Sequence, residues 1–223
     1  MTIEEAIKQR RSVRKYKKIV LSDDIINSLN SKIEECNRLG NLNIQLVTNE
    51  KRAFSGILSY GMFKGVENYL VIAGKSSDSL EENAGYYGEQ LVLLAQQLGL
   101  NTCWVGLTYK SVKDAYKLNP GDKVVALFAL GYGEPLKFTP KKKTPEQLCK
   151  NLSEAPEWFK KGLEMVSCAP SAINQQKYTF EYEAPNRVKA NKGFSLAGYT
   201  KVDLGIAKLH FEIGAGRDNF EWA

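Results

Sequence analysis

Histidine is almost missing from this chain: among 223 residues there is one, His210, and the four cysteines, Cys36, Cys103, Cys149 and Cys168, stand far apart with no CxxC pair. A zinc site needs grouped nitrogen and sulfur ligands, and a disulfide scaffold needs dense, paired cysteines. Neither is expected, and the thiols read as buried and reduced. Long hydrophobic runs are also lacking. Stretches such as 91–95 and 124–130 fall far short of the roughly 20 apolar residues a membrane span needs, so no transmembrane helix and no membrane partner are expected. The first turns carry Glu4, Glu5 and Lys8 with no apolar run behind them, unlike a secretion signal, and a cytoplasmic protein is expected. No Gly-x-Gly-x-x-Gly follows a predicted strand, which argues against a separate Rossmann nucleotide domain.

What is present suffices for one large domain, since 43% of the residues are apolar and a chain of this length can bury an ordinary core. The net charge of +6 is unevenly spread: six of the nine residues 10–18 are basic, and Lys141, Lys142 and Lys143 form a second run. Two local clusters suit one phosphate pocket better than an extended nucleic-acid track, and no nucleic-acid partner is expected. Tyr16 is the only aromatic in the first cluster, whereas single-stranded nucleic acid is held on interleaved aromatics.

Thr2 and Glu5 form a capping box, which predicts a helix from about Ile3 that delivers Arg10 at its end. Ser22, with Asp23 and Asp24 behind it, predicts a second helix, its apolar stripe running through Ile25, Ile26, Leu29, Ile33 and Cys36 to a stop near Gly40. Residues 43–48 and 69–73 read as strands. A long helix is predicted over about 80–98, its apolar surface so broad that it must be covered on more than one side. Residues 102–107 follow as an extended segment, then a short helix over 111–118, then a strand over 124–130 buried on both faces. Residues 137–143 are basic and proline-bounded and predict a crossing between two halves, 1–143 and 144–223. In the second half Trp158, Phe159, Leu163 and Val166 predict a helix, Tyr178, Phe180 and Tyr182 a one-face strand, and Val202, Ile206, Leu209 and Ile213 a last helix. That order looks like an abbreviated copy of the first half.

Two segments carry the chemistry. Arg10, Arg11, Ser12 and Arg14 bring guanidinium groups and a hydroxyl to a helix end, where they can bind a phosphate and carbonyl oxygens; a solvated basic helix end is the plainer reading. Residues 169–176, Ala-Pro-Ser-Ala-Ile-Asn-Gln-Gln, join a predicted helix to a predicted strand with more hydrogen-bonding side chains than a turn needs, although an ordinary loop would also fit.

Together with Gly-Leu-Asn-Thr-Cys-Trp-Val-Gly after the long helix and Leu-Gly-Tyr-Gly-Glu-Pro before the basic run, these segments resemble the FMN-dependent nitroreductase family. The likeness covers most of the first 143 residues and, less closely, about 155–215. It implies an α+β fold with a mostly antiparallel central sheet flanked by helices, and FMN as cofactor. In that family the Ala-Pro-Ser-x-x-Asn-x-Gln segment follows the second helix and reaches the flavin of the other subunit. Here it stands at residue 169. The resemblance is therefore to the shortened, tandem-type branch of TM nitroreductases, and it implies an intrachain pseudo-dimer of two unequal halves, monomeric, with one flavin site.

By matched position, Arg10, Ser12 and Arg11 would hold the FMN phosphate and ribityl chain with a lysine of the 141–143 run, taken as Lys142. Arg14 would lie beside the pyrimidine edge, where a cation eases flavin reduction. Pro170, Ser171, Asn174 and Gln176 would cover the flavin from the second half, and Trp104, Val105 and Gly106 would bring backbone N–H groups near it. No side chain is needed as nucleophile or general acid. The implied activity is an oxidoreductase taking hydride from NAD(P)H and passing it to a small flat acceptor such as a nitroaromatic or a quinone. A flavin-binding module without turnover, its pocket closed by a loop at 184–199, is the competing expectation. His210 reads as a structural or surface residue and Cys103 as a packing residue, while Tyr86 and Tyr87 are open between lining a pocket and packing the helix.

Overall fold

A computed structural model describes residues 1–55, 62–134 and 141–223. Helix α1 (Ile3–Gln9) starts at the expected capping box, in which Thr2 and Glu5 satisfy each other's backbone N–H groups, and Arg10 is its C-cap. Helix α2 (Asp23–Gly40) buries Leu29, Ile33 and Cys36; Ser22 occupies the N-cap position without a side-chain capping bond, and Asn41 closes the helix in a left-handed conformation. Strands β1 (Gln45–Val47) and β2 (Asn68–Lys75), helix α3 (Leu80–Gln97), and strands β3 (Asn101–Val105) and β4 (Asp122–Gly131) complete this part of the chain.

The four strands form one sheet in the order β1-β2-β4-β3, every neighbour antiparallel. Side chains alternate across a strand, so β2 and β4 feed two cores at once. Tyr69, Val71, Leu127 and Ala129 join Val13, Tyr16 and Phe54 on one face. Leu70, Ile72, Phe128 and Leu130 pack on the other face under Leu29 and Ile33 of α2 and Leu91 of α3.

The helix expected over 111–118 does not form. Its polar backbone groups are captured by side chains from elsewhere: Gln45 accepts from the Lys117 N–H, while Asn43 and Gln45 both donate to the Lys117 carbonyl. Such bonds compete directly with the helical ladder, and Val112 and Tyr116 are buried from a turn instead.

The second part contains α4 (Pro145–Leu148), α5 (Glu157–Val166), β5 (Tyr178–Glu183), β6 (Arg187–Lys192), α6 (Thr200–Ala215) and β7 (Glu221–Trp222). Its three strands make a separate sheet, β5-β6-β7. Tyr178 and Phe180 point into an aromatic core with Phe159, Phe211 and Phe220. The second part thus has a sheet of its own, and the loop expected at 184–199 contains β6. Only Val188 of β6 is fully buried, so no apolar alternation announces the strand. Its pairing is set by the partner, with Lys189 opposite Glu181 and Arg187 opposite Glu183. The crossing expected at 137–143 lies mostly outside the described residues, as does the proline ending the Gly-Tyr-Gly-Glu-Pro motif.

Helices α3 and α6 join the two parts by backbone contact. A Cβ on Gly85 would stand 2.0 Å from the Val202 carbonyl oxygen, and one on Gly205 would stand 2.0 Å from that of Glu82. Only glycine permits that approach. No helix among the described residues is long and apolar enough to cross a membrane.

Candidate active site

Beyond Arg10 the chain leaves α1 and runs extended along the sheet. Val13 N–H donates to the Thr102 carbonyl of β3 at 3.0 Å, Tyr16 N–H to Lys64 at 2.9 Å, and Lys64 N–H to Arg14 at 2.9 Å. Val13 and Tyr16 point into the core, and the Tyr16 hydroxyl donates to the Val13 carbonyl at 2.7 Å. The remaining side chains, Arg10, Arg11, Ser12 and Arg14, face a cavity of about 640 Å³. The end of β3 supplies a second wall with Trp104, Val105 and Gly106. The Trp104 ring lies on Gly88 of α3, where a Cβ would come within 2.4 Å of it.

The third wall is the 169–176 segment, bringing Pro170, Ser171 and Asn174 to the same cavity, with Lys141 and Lys142 beside them. Three of its non-glycine residues hold positive φ: Ile173 at 47°, Asn174 at 57° and Gln176 at 45°. Such backbone is unfavourable for side-chain-bearing residues, most of all a β-branched one. Side-chain bonds hold it. Asp203 of α6 accepts from the Ala172 N–H at 2.9 Å and from Gln175 Nε2 at 2.7 Å, and Ser171 Oγ accepts from the Gln176 N–H at 2.9 Å.

Gln176 is the one expected site residue that does not line the cavity. It is buried under the segment, its Oε1 accepting from the Lys143 N–H at 2.8 Å and its Nε2 donating to the Lys141 carbonyl at 3.2 Å. Its amide satisfies backbone groups that would otherwise be stranded, so it braces the wall. Lys143 is likewise turned away, its Nζ donating to the Gln176 carbonyl at 2.7 Å.

The electrostatics of the cavity are dominated by cations. Arg10 is 6% exposed, and among the described residues its guanidinium donates no hydrogen bond; its nearest counter-charge is Glu89 at 3.8 Å. Its Nε is buried without an acceptor, which is costly, and with Arg11, Arg14, Lys141 and Lys142 on the same cavity the arrangement suits a ligand bringing anionic or carbonyl oxygens. Among the described residues the one acidic lining residue is Asp203, whose carboxyl burial pushes up to about 6, against the pull of its bonds from Gln175 and Ala172. Burial also pushes the Cys103 thiol up, so the thiol adds no anion, in keeping with packing.

This geometry coincides with a family-level match. The model of the family described as "Putative TM nitroreductase" fits residues 2–215. The chain belongs to that family.

Among solved structures, a nitroreductase-family crystal structure from Thermotoga maritima MSB8 superposes with a TM-score of 0.65 at 24% identity, covering 98% of this chain and 85% of that one. A protein from Desulfovibrio desulfuricans, described as a putative nitroreductase in complex with FMN, gives a TM-score of 0.51 at 17% identity over 66% of this chain and 94% of its own. One from Parabacteroides distasonis, described as a putative NADH dehydrogenase/NAD(P)H nitroreductase, gives 0.51 at 23% identity over 70% and 96%. These likenesses establish the nitroreductase fold: an α+β arrangement with an antiparallel central sheet. No curated protein matches the sequence.

Sequence reasoning missed several participants. Asp203 sits inside the apolar stretch of α6, and Glu89 inside α3, which had to be covered on more than one side; an acid in such a helix is itself a signal. Tyr199, whose hydroxyl donates to the Gly106 carbonyl at 2.8 Å, and Phe63 also line the cavity. Cys168 is half-buried at the cavity rather than in the core, 3.1 Å from Lys142 Nζ. His210 is fully buried rather than at the surface. Tyr86 and Tyr87 pack: neither lines the cavity, Tyr86 donates to Glu212, and Tyr87 lies against Gly40.

Proposed function

We propose that the protein is an FMN-dependent oxidoreductase moving electrons from NAD(P)H to a small flat acceptor such as a nitroaromatic or a quinone. The observation that carries this reading is the meeting, in one cavity of one chain, of the Arg10–Ser12–Arg14 cations with Pro170, Ser171 and Asn174. FMN fits the residues present, because its phosphate and carbonyl oxygens would meet the donors that Arg10, Arg11, Ser12 and Arg14 bring to the cavity. A family relative described as holding FMN supports the same group.

When bound, FMN supplies two-electron redox chemistry, which none of these side chains can perform. The chain's own contribution is binding, orientation and charge. Arg10, Arg11 and Ser12, with Lys142, would hold the phosphate and ribityl chain. Arg14, exposed and paired with nothing among the described residues, would stand by the pyrimidine edge and make reduction easier by favouring negative charge there. Backbone N–H groups of Trp104, Val105 and Gly106 would line the other edge, while Pro170, Ser171 and Asn174 exclude water. Since both motifs belong to one chain, residues 1–143 and 144–223 act as the two partners of a pseudo-dimer with a single flavin site, and a monomer suffices.

The test is reconstitution with FMN, desalting, and anaerobic addition of NADH and then NADPH. Retained flavin that bleaches near 450 nm (about the usual flavin maximum) is expected, at one flavin per chain. Flavin that is retained but reduced by neither donor would point to a binding module, and a chain that retains none overturns the reading.

A further inference from the structure

Glu89 of α3 and His210 of α6 are both fully buried, and they meet where the two parts of the chain join. Glu89 Oε1 lies 3.0 Å from His210 Nε2, and Glu89 Oε2 accepts from the Trp104 indole at 2.9 Å. Arg10, a lining residue of the cavity, stands 3.8 Å from the same Oε1. On its other side the imidazole faces α5, with Nδ1 3.1 Å from the Met165 carbonyl oxygen. From β5, Tyr178 belongs to the same surroundings: burial, Asp203 and Glu89 oppose ionisation of its hydroxyl while Arg10 favours it, so it stays neutral.

The hydrogen-bond inventory of this cluster leaves little freedom. A carbonyl oxygen only accepts, so His210 Nδ1 must carry a proton to bond Met165. A neutral imidazole would then turn the bare lone pair of Nε2 toward a carboxylate oxygen 3.0 Å away, a repulsive contact sealed from water. The contact is a bond only if one more proton lies between Nε2 and Oε1. Arg10 and the Trp104 N–H both set positive charge against Glu89, which places that proton on the nitrogen. We propose that His210 is a buried imidazolium paired with the Glu89 carboxylate, and that it leaves the Arg10–Glu89–His210 cluster with one net positive charge at the cavity wall.

His210 touches no ligand. It acts as a positioning residue, answering the charge of Glu89 so that Arg10 remains available to an anion in the cavity. That consequence rests on the FMN reading, whereas the proton itself does not.

With one histidine in the chain, the ring-nitrogen NMR spectrum contains a single imidazole and needs no flavin. At pH 7.5 the folded wild type is expected to show both ring nitrogens protonated. In Glu89→Gln the amide can donate to Nε2, and the ring is expected to become neutral in a folded protein. A neutral ring in the folded wild type overturns the proposal. FMN affinity, read by flavin fluorescence, supplies the second arm. His210→Gln removes one positive charge and is expected to weaken FMN binding about tenfold. The double variant Glu89→Gln/His210→Gln removes one charge of each sign and should return to within about threefold of wild type. A His210→Gln variant that binds like wild type, or a double variant as weak as His210→Gln, contradicts the charge assignment. Should His210→Gln not fold, the wild-type ring spectrum still decides. A wild type that binds no FMN refutes the proposed function, and the ring spectrum then decides the proton separately.

Discussion

The two principal walls of the cavity are built by different means. The wall carrying Arg10, Ser12 and Arg14 is backbone: residues 12–16 are tied by main-chain bonds to β3, to Lys64 and to Glu134. Its side chains are therefore free to face a ligand, and any of them can change without altering the path of the chain. The wall carrying Pro170, Ser171 and Asn174 has hardly any such ladder. It is a segment of strained dihedrals held by Asp203, Gln175, Gln176 and Ser171. One wall is set by the sheet, the other by a few side chains, and point substitutions should separate them.

The largest expected effect strikes the joint on which both walls depend. Gly205→Ala puts a methyl 2.0 Å from a backbone oxygen of α3, and neither helix can yield locally. A loss of about 4 kcal/mol is expected, seen as a melting temperature lower by roughly 10 °C. A variant melting like wild type would mean that the helices slide freely and that the walls are not registered by this contact.

The next separates the walls by pH. Burial lifts Asp203 to about 6, above the roughly 3.9 of an unfolded chain, so between these values the folded protein binds the proton more tightly. The stability it contributes is complete below about pH 4 and gone above about pH 6. Denaturant titrations should show wild type losing up to about 3 kcal/mol over that interval relative to Asp203→Asn. Parallel profiles for the two proteins would show that Asp203 is not what makes the second wall sensitive to pH.

The smallest effect sharpens the account of strain. Ile173 is 84% exposed and holds φ 47°, so Ile173→Gly should relieve strain and raise stability by about 0.5–1 kcal/mol, after allowing for the looser unfolded chain. A drop in the denaturation midpoint would instead mean that the isoleucine side chain braces the wall.

Much of the first wall was legible in the sequence, because capping boxes, helical stripes and alternating strands are local signals; α1, α2, α3 and β4 lie where those patterns put them. The 111–118 segment misled because its helix-like spacing lost to hydrogen bonds from Asn43 and Gln45, residues some 70 positions away. Strand β6 was illegible for the opposite reason: its sequence is polar, and its strand character comes from the edge that β5 offers. Residue types drew attention to both segments and the family resemblance nominated their members, but nothing local distinguished Asn174, which faces the cavity, from Gln176, which turns beneath it.

What the sequence alone determined is the inventory: the cationic segment after α1, the hydrogen-bonding segment at 169–176, and helices whose apolar surfaces demand cover. Each follows from short-range periodicity and side-chain chemistry, which do not depend on where the rest of the chain lies. Only the tertiary structure decided that α3 and α6 touch at Gly85 and Gly205, that Glu89 meets His210 there, and that Asp203 holds the second wall. Those pairings join residues more than a hundred positions apart in the first two cases and about thirty in the third, and they come from burial and close packing, which act on the folded chain as a whole.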